Sequence, residues 1–170
     1  MWGAILAAAL TAAAAPQAAA SAGDVCAPLH AALARLYHTP LRHSATRQPE
    51  GGRPAGTTEY VLTGDRQYMK FPSATAWMST PLGEADRAAL DDGVKAMTAP
   101  AEGRSCSAAG EEALAGEPMR VFLLHDEAAR SDTRYWVSAR TGLLVRSVMA
   151  LAHGASLTDT YAYDNVKAPQ

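Results

Sequence analysis

The residues best suited to metal or acid–base chemistry here are five histidines and two cysteines. His30, His38, His43, His125 and His153 are scattered along the chain. None stands in the H-x-x-x-H or H-E-x-x-H spacing that puts two imidazoles on one helix face for a zinc ion. His38 and His43 flank Thr39-Pro40, a break across which they share no face. They read as surface histidines, with a metal site assembled from distant ones as the alternative. The sequence contains no G-x-S-x-G; Gly154-Ala155-Ser156 opens a strand and not a strand-to-helix elbow. Neither phosphate-cradling glycine motif is present. Glu111 and Glu112 are adjacent, so on a strand they point to opposite faces and read as solvated charges, not as an acid/base pair. With no nucleophile–base pair and no metal spacing, the pattern points to a protein that is not an enzyme and needs no cofactor.

Cys26 and Cys106 carry a different message. An even pair in an exported chain is most simply a disulfide. Closing so long a loop contributes roughly 4–5 kcal/mol in the chain-entropy model. A redox pair or a metal site is the alternative, but there is no C-x-x-C, and only His30 lies near either cysteine at ligand spacing. Export itself is read from residues 1–22. Trp2 to Ala15 is almost unbroken apolar sequence, Pro16 ends it, and Ala18-Ala19-Ala20-Ser21-Ala22 supplies small residues of the A-x-A type. This predicts a cleavable signal peptide, cut after Ala20 or Ala22, and a periplasmic location. The alternative is an uncleaved anchor, for which the run falls short of the roughly 20 residues that span a bilayer.

The elements that must position these residues follow from periodicity. Residues 23–170 are one domain in length. The formal net charge of -2 gives no basic surface for nucleic acid or anionic membrane. Asp24 and Pro28 open a helix to about His38, whose Leu29, Leu33, Leu36 and Tyr37 share one face. Leu41 to Gln48 reads as a polar edge strand. Thr57 to Leu62 and Arg66 to Phe71 form a hairpin about Thr63-Gly64-Asp65, and Ala76 to Thr80 is a further short strand. Ser79-Thr80-Pro81 is expected to cap a second helix, from Leu82 to Met97, with Leu90, Val94 and Met97 as its apolar stripe. Five strands then follow in succession: Ser105 to Leu114, Glu117 to Asp126, Thr133 to Ala139, Leu143 to Leu151 and Leu157 to Tyr163. Short connections make them antiparallel neighbours. The fold class is α+β, with one large, strongly curved antiparallel sheet and two helices packed on its concave face.

Runs such as Val121-Phe122-Leu123-Leu124 and Tyr135-Trp136-Val137 are apolar on both pleat faces, so both faces of the sheet need cover. The aromatics of the strands serve core packing and cross-strand pairs, or some of them line a pocket for an apolar ligand.

Three C-terminal segments resemble a known family. Tyr135-Trp136-Val137-Ser138-Ala139-Arg140-Thr141-Gly142-Leu143-Leu144-Val145-Arg146 is similar to its strand–turn–strand signature. Tyr161-Ala162-Tyr163-Asp164-Asn165-Val166-Lys167-Ala168-Pro169 resembles its closing strand, and Gly110 to Glu117 one of its hairpins. The family is the LolA-like superfamily, the periplasmic outer-membrane lipoprotein carrier and its relatives. The resemblance implies a half-open barrel with helices plugging its concave side, and shelter for lipid acyl chains there. No counterpart of the carrier's barrel arginine is evident, and the cysteine pair is not part of its pattern.

The expectation is therefore a periplasmic, non-catalytic binding protein that holds a lipid or acyl chain between sheet and helices. Trp77, Leu90, Val94, Met97, Phe122, Trp136, Tyr161 and Tyr163 are the candidate cavity-lining residues, and the second helix is the candidate lid. The alternative is a protein-binding or inhibitory module that adds a strand at Leu41 to Gln48.

Overall fold

A computed structural model describes residues 24–48, 55–151 and 154–170. The expected signal peptide, the glycine-rich loop at residues 51–54 and His153 lie outside the described residues. The elements, in order, are α1 (Ala27–Arg35), β1 (Leu41–Arg47), β2 (Gly56–Leu62), β3 (Arg66–Lys70), β4 (Met78–Pro81), α2 (Glu84–Thr98), β5 (Arg104–Leu114), β6 (Glu117–Asp126), β7 (Ser131–Ser138), β8 (Leu144–Leu151) and β9 (Ser156–Ala162). The nine strands make one antiparallel sheet in the order β4-β3-β2-β1-β9-β8-β7-β6-β5. The sheet is curved without closing, and the two helices occupy its concave side.

The topology explains the position of α2. Strands β1 to β4 step outward to one edge. The chain then crosses by way of α2 to the opposite edge, and β5 to β9 step back until β9 pairs with β1. The helix that joins the two edges is thus carried across the hollow between them.

Alternation along the strands sorts the core in two. Phe122 pairs with Tyr135 across β6 and β7, and both face the helices. With them stand Leu41, Leu62, Val137 and Leu144, under Leu29, Ala32, Leu33 and Leu36 of the first helix and its C-terminal turn. The apolar stripe read from the sequence of α1 is the buried one. On the outer face Val121 pairs with Trp136, and Met119 joins them. Long side chains cover this second cluster instead of helices. The guanidinium carbons of Arg134 and Arg146 each lie 5.2 Å from the Trp136 ring centroid. Trp136 Nε1–H donates to Glu112 Oε2 at 2.8 Å, and Glu112 also pairs with Arg134. Glu112 is thus exposed, as expected of a solvated charge, and is also engaged across the sheet.

Two element expectations are corrected. The Leu41 to Gln48 segment is not an edge. β1 sits at the middle of the sheet, between β2 and β9. Its polar look comes from outward Ser44 and Thr46, which face Thr160 and Thr158 of β9; the true edges are β4 and β5. Ser79-Thr80-Pro81 does not cap the second helix either. These residues extend the β3–β4 hairpin, with Arg66 Nη2 donating to Ser79 Oγ at 2.8 Å and Leu82 N–H to Asp65 O at 2.8 Å. The helix starts two residues beyond Leu82, where Gly83 N–H is received by Asp86 Oδ2 at 2.9 Å.

Cys26 and Cys106 form a disulfide, with Cα atoms 6.3 Å apart and a sequence separation of 80. It ties the start of α1 to the edge strand β5.

Candidate functional site

Of the cavity residues expected from sequence, Leu90, Val94, Met97, Phe122, Tyr161 and Tyr163 meet in one cluster under the helices. Trp136 and Trp77 do not join it. Trp136 is held on the outer face by the alternation that turns Tyr135 inward. Trp77, which precedes β4, lines an outer pocket of ≈ 460 Å³ with Arg42, Ser44, Glu59, Thr160 and Lys167. A second outer hollow of ≈ 470 Å³ lies over Leu123, Val148 and Ala150.

The inner pocket lies between α2 and the first strands. Tyr37, Leu41, His43, Tyr60, Leu62, Gln67 and Leu90 enclose ≈ 250 Å³. That is below the ~300 Å³ at which drug-sized ligand pockets begin. The helix above it, α2, is lightly seated. Val94 is its one buried residue; Leu90 and Met97 are only half-buried. Besides that apolar stripe, polar contacts at its periphery hold it. Arg87 donates to the carbonyls of Tyr37 (3.3 Å) and Gly64, and His38 Nε2 meets Asp91 Oδ1 at 2.7 Å on the surface. At its C-terminus Arg104 Nη1 donates to Ala96 O and Met97 O at 2.8 and 3.1 Å, satisfying orphan carbonyls. The same guanidinium pairs with Asp126 at 2.7 Å. The backbone N–H of Ala129, and then Arg104, hold the Asp126 carboxyl below its usual range.

The floor of the site contains a group the sequence did not reveal. His43 lies between Tyr60 and Tyr161, its cross-strand partners, with ring centroids 4.9 and 4.7 Å away and planes nearly parallel. Its Nε2 meets Asp159 Oδ1 at 2.8 Å, and Ser147 Oγ donates to Asp159 Oδ2 at 3.0 Å. The Asp159 side chain is 13% exposed and that of His43 22%, so this histidine is not a surface one. Burial, and then the charge of Asp159, raise the Tyr37 hydroxyl above its ordinary pKa and push that of Tyr161 well above it. Burial likewise raises Tyr135 and Tyr163, and Tyr163 Oη donates to Leu144 O at 2.7 Å. The Ser147 proton is directed at the carboxylate and not at the imidazole, so the serine has no base to activate it. The trio acts as a fixed polar rivet that joins β1, β9 and β8. Among the described residues no three His, Cys, Asp or Glu side chains converge to hold a metal ion. No helix among them is long and apolar enough to cross a membrane.

Beyond Tyr60 the concave face continues into a further hollow of ≈ 320 Å³. It is lined by Ala45, Arg47, Gly56, Thr58, Tyr60, Pro72 and Leu157. The inner face is thus a trough with an apolar end beneath α2, an aromatic step at His43 and Tyr60, and an open end at Arg47.

No family model and no curated protein matches the chain. Solved structures do match it in fold. MucB is 16% identical, with a TM-score of 0.55 over 87% of this chain and 62% of its own; this chain thus spans under two thirds of MucB's length. MucB in complex with MucA(peri) is 15% identical, with a TM-score of 0.54 over 86% of this chain and 60% of that one. The Mycobacterium tuberculosis lipoprotein LppX is 13% identical, with a TM-score of 0.54 over 88% of this chain and 100% of its own. At these identities the likeness is one of fold. What they share with this chain is a fold, and the curved antiparallel sheet with helices on its concave side agrees with the architecture that the resemblance of the C-terminal residues implies.

Proposed function

We propose that this protein is a non-catalytic binding protein of the periplasm that shelters an apolar chain, a lipid or acyl group, between α2 and the concave face of the sheet. The observation that carries this reading is the lid-like seating of α2. It crosses the hollow from edge to edge, buries one residue, and roofs an apolar pocket over Leu41 and Leu62. At ≈ 250 Å³ that pocket admits part of a chain, and outward movement of α2 makes room for the rest. The apolar lead of residues 1–22 and the Cys26–Cys106 disulfide support an oxidising compartment.

Native mass spectrometry of the protein purified from a periplasmic extract, followed by organic extraction, tests the reading. The expected result is a lipid or acyl adduct at one per chain. A protein that is never exported, or that arrives bare and takes up no acyl chain when offered one, overturns it.

A second reading is favoured by β5. This edge strand of 11 residues is exposed along nearly its whole length and pairs only with β6. A partner protein adding a strand there would be the sheet-edge module, moved from β1 to the true edge. Co-purification of a stoichiometric protein in place of lipid favours it.

A further inference from the structure

We propose that the sheltered chain ends in an anionic head and that Arg47, at the open end of the trough, receives it. This rests on the reading of the cavity as an acyl-chain site and narrows it to one chemical class: a single acyl chain bearing a carboxylate or a phosphate.

The argument starts from strand alternation. Leu41, His43, Ala45 and Arg47 share the inner face of β1; Leu62, Tyr60, Thr58 and Gly56 are their partners on β2. The first two pairs belong to the pocket beneath α2, the last two to the open hollow, and Tyr60 belongs to both. From Leu41 to Arg47 the trough runs roughly 20 Å at the usual rise of a strand. That is the shape of a single extended chain.

Its two ends differ in charge. The pocket beneath α2 is lined by leucines and neutral polar groups about His43. Among the described residues the open hollow is lined by Ala45, Leu157, Pro72, Thr58 and one charged residue, Arg47. Among the described residues Arg47 makes no ion pair and no side-chain hydrogen bond. The middle of the trough is closed to an anion, because Asp159 holds a carboxylate there with both oxygens already engaged by His43 and Ser147. A head placed at that step is repelled, and a head placed under α2 finds no arginine or lysine among the residues that line the pocket. Among the described residues that line the trough, the one that offers an anion a charge-assisted, planar donor is Arg47, with the chain running back past Tyr60 to Leu90.

Isothermal titration with palmitate, palmitoyl-lysophosphatidate and neutral monopalmitoylglycerol, each below its micelle concentration, tests this. At least one of the two acids is expected to bind about fivefold more tightly than the neutral ester, as for a partly exposed charge pair, and the gap should narrow with added salt. Which acid is preferred identifies the head. Arg47→Gln should bring the preferred acid down to the neutral ester and leave the ester itself unchanged, while Arg47→Lys should keep most of the preference. Arg47 is exposed on the sheet, so both variants should fold with unchanged melting. Equal affinities for all three ligands, or a preference that survives Arg47→Gln, overturns the assignment of the head while the acyl-chain site stands. Failure of all three to bind overturns the site itself, and this inference with it.

Discussion

Four tyrosines on or beside the trough set the chemistry of its residues. Tyr37, Tyr135, Tyr161 and Tyr163 all hold their hydroxyl protons more tightly than free tyrosine, chiefly because burial disfavours the phenolate. The unfolded chain gives up these protons near pH 10 and the fold keeps them, so their contribution to stability is intact below about pH 10 and is lost as pH rises beyond it. Urea melts at about pH 9 and about pH 11 should show a steep fall in midpoint. Tyr163→Phe should lessen that fall, at a cost of about 1 kcal/mol at neutral pH for the lost bond to Leu144 O. An equal alkaline loss in the variant would contradict this account of Tyr163. At this scale the sequence was legible for apolar stripes and poor for polar networks. Leu29, Leu33, Val94 and Phe122 announce themselves by period and composition. His43 and Asp159 are separated by 116 positions and meet only because β9 returns to pair with β1. No local spacing encodes that meeting.

The C-terminal strands were read nearly to the residue, because each is bounded by a glycine or a polar turn and pairs with the strand next to it in sequence. Glu117–Asp126 is the clearest case. The same logic failed for β1, whose second partner is the last strand of the chain. It failed at Ser79-Thr80-Pro81, where a hydroxyl followed by proline suits a helix cap and an edge strand equally well. The packing of α2 on the concave side was expected from its single stripe, and the fold adds that it joins the two edges of the sheet. Gly93 weakens it further, by roughly 1 kcal/mol relative to alanine. A helix so lightly held should open well below the global unfolding energy. Hydrogen exchange should therefore label the α2 amides much sooner than those of β6, β7 and β8, and Gly93→Ala, whose added methyl meets nothing within 4 Å, should slow that exchange. Protection of α2 equal to that of the central strands would argue that it is fixed core.

For the whole molecule, the sheet is large and the helical layer small, and one covalent link joins the start of the helical layer to the sheet's edge. The Cys26–Cys106 bond closes a loop of 80 residues, for which the chain-entropy model gives about 4.5 kcal/mol. Reduction should lower the unfolding free energy obtained from urea melts by an amount of that order, and unchanged melting after verified reduction would show the bond to be dispensable. The central claim is that an apolar chain lodges beneath α2. Leu90 is half-buried at the wall of that pocket, so Leu90→Arg can place a charge there and keep the fold. The deciding measurement is the titration of a fluorescent acyl probe against the native protein and this variant, with melting checked in both. One saturable site in the native protein, weakened tenfold or more by Leu90→Arg at equal stability, is the result the account predicts. Equal binding by the two proteins, or no saturable site in the native one, would contradict it.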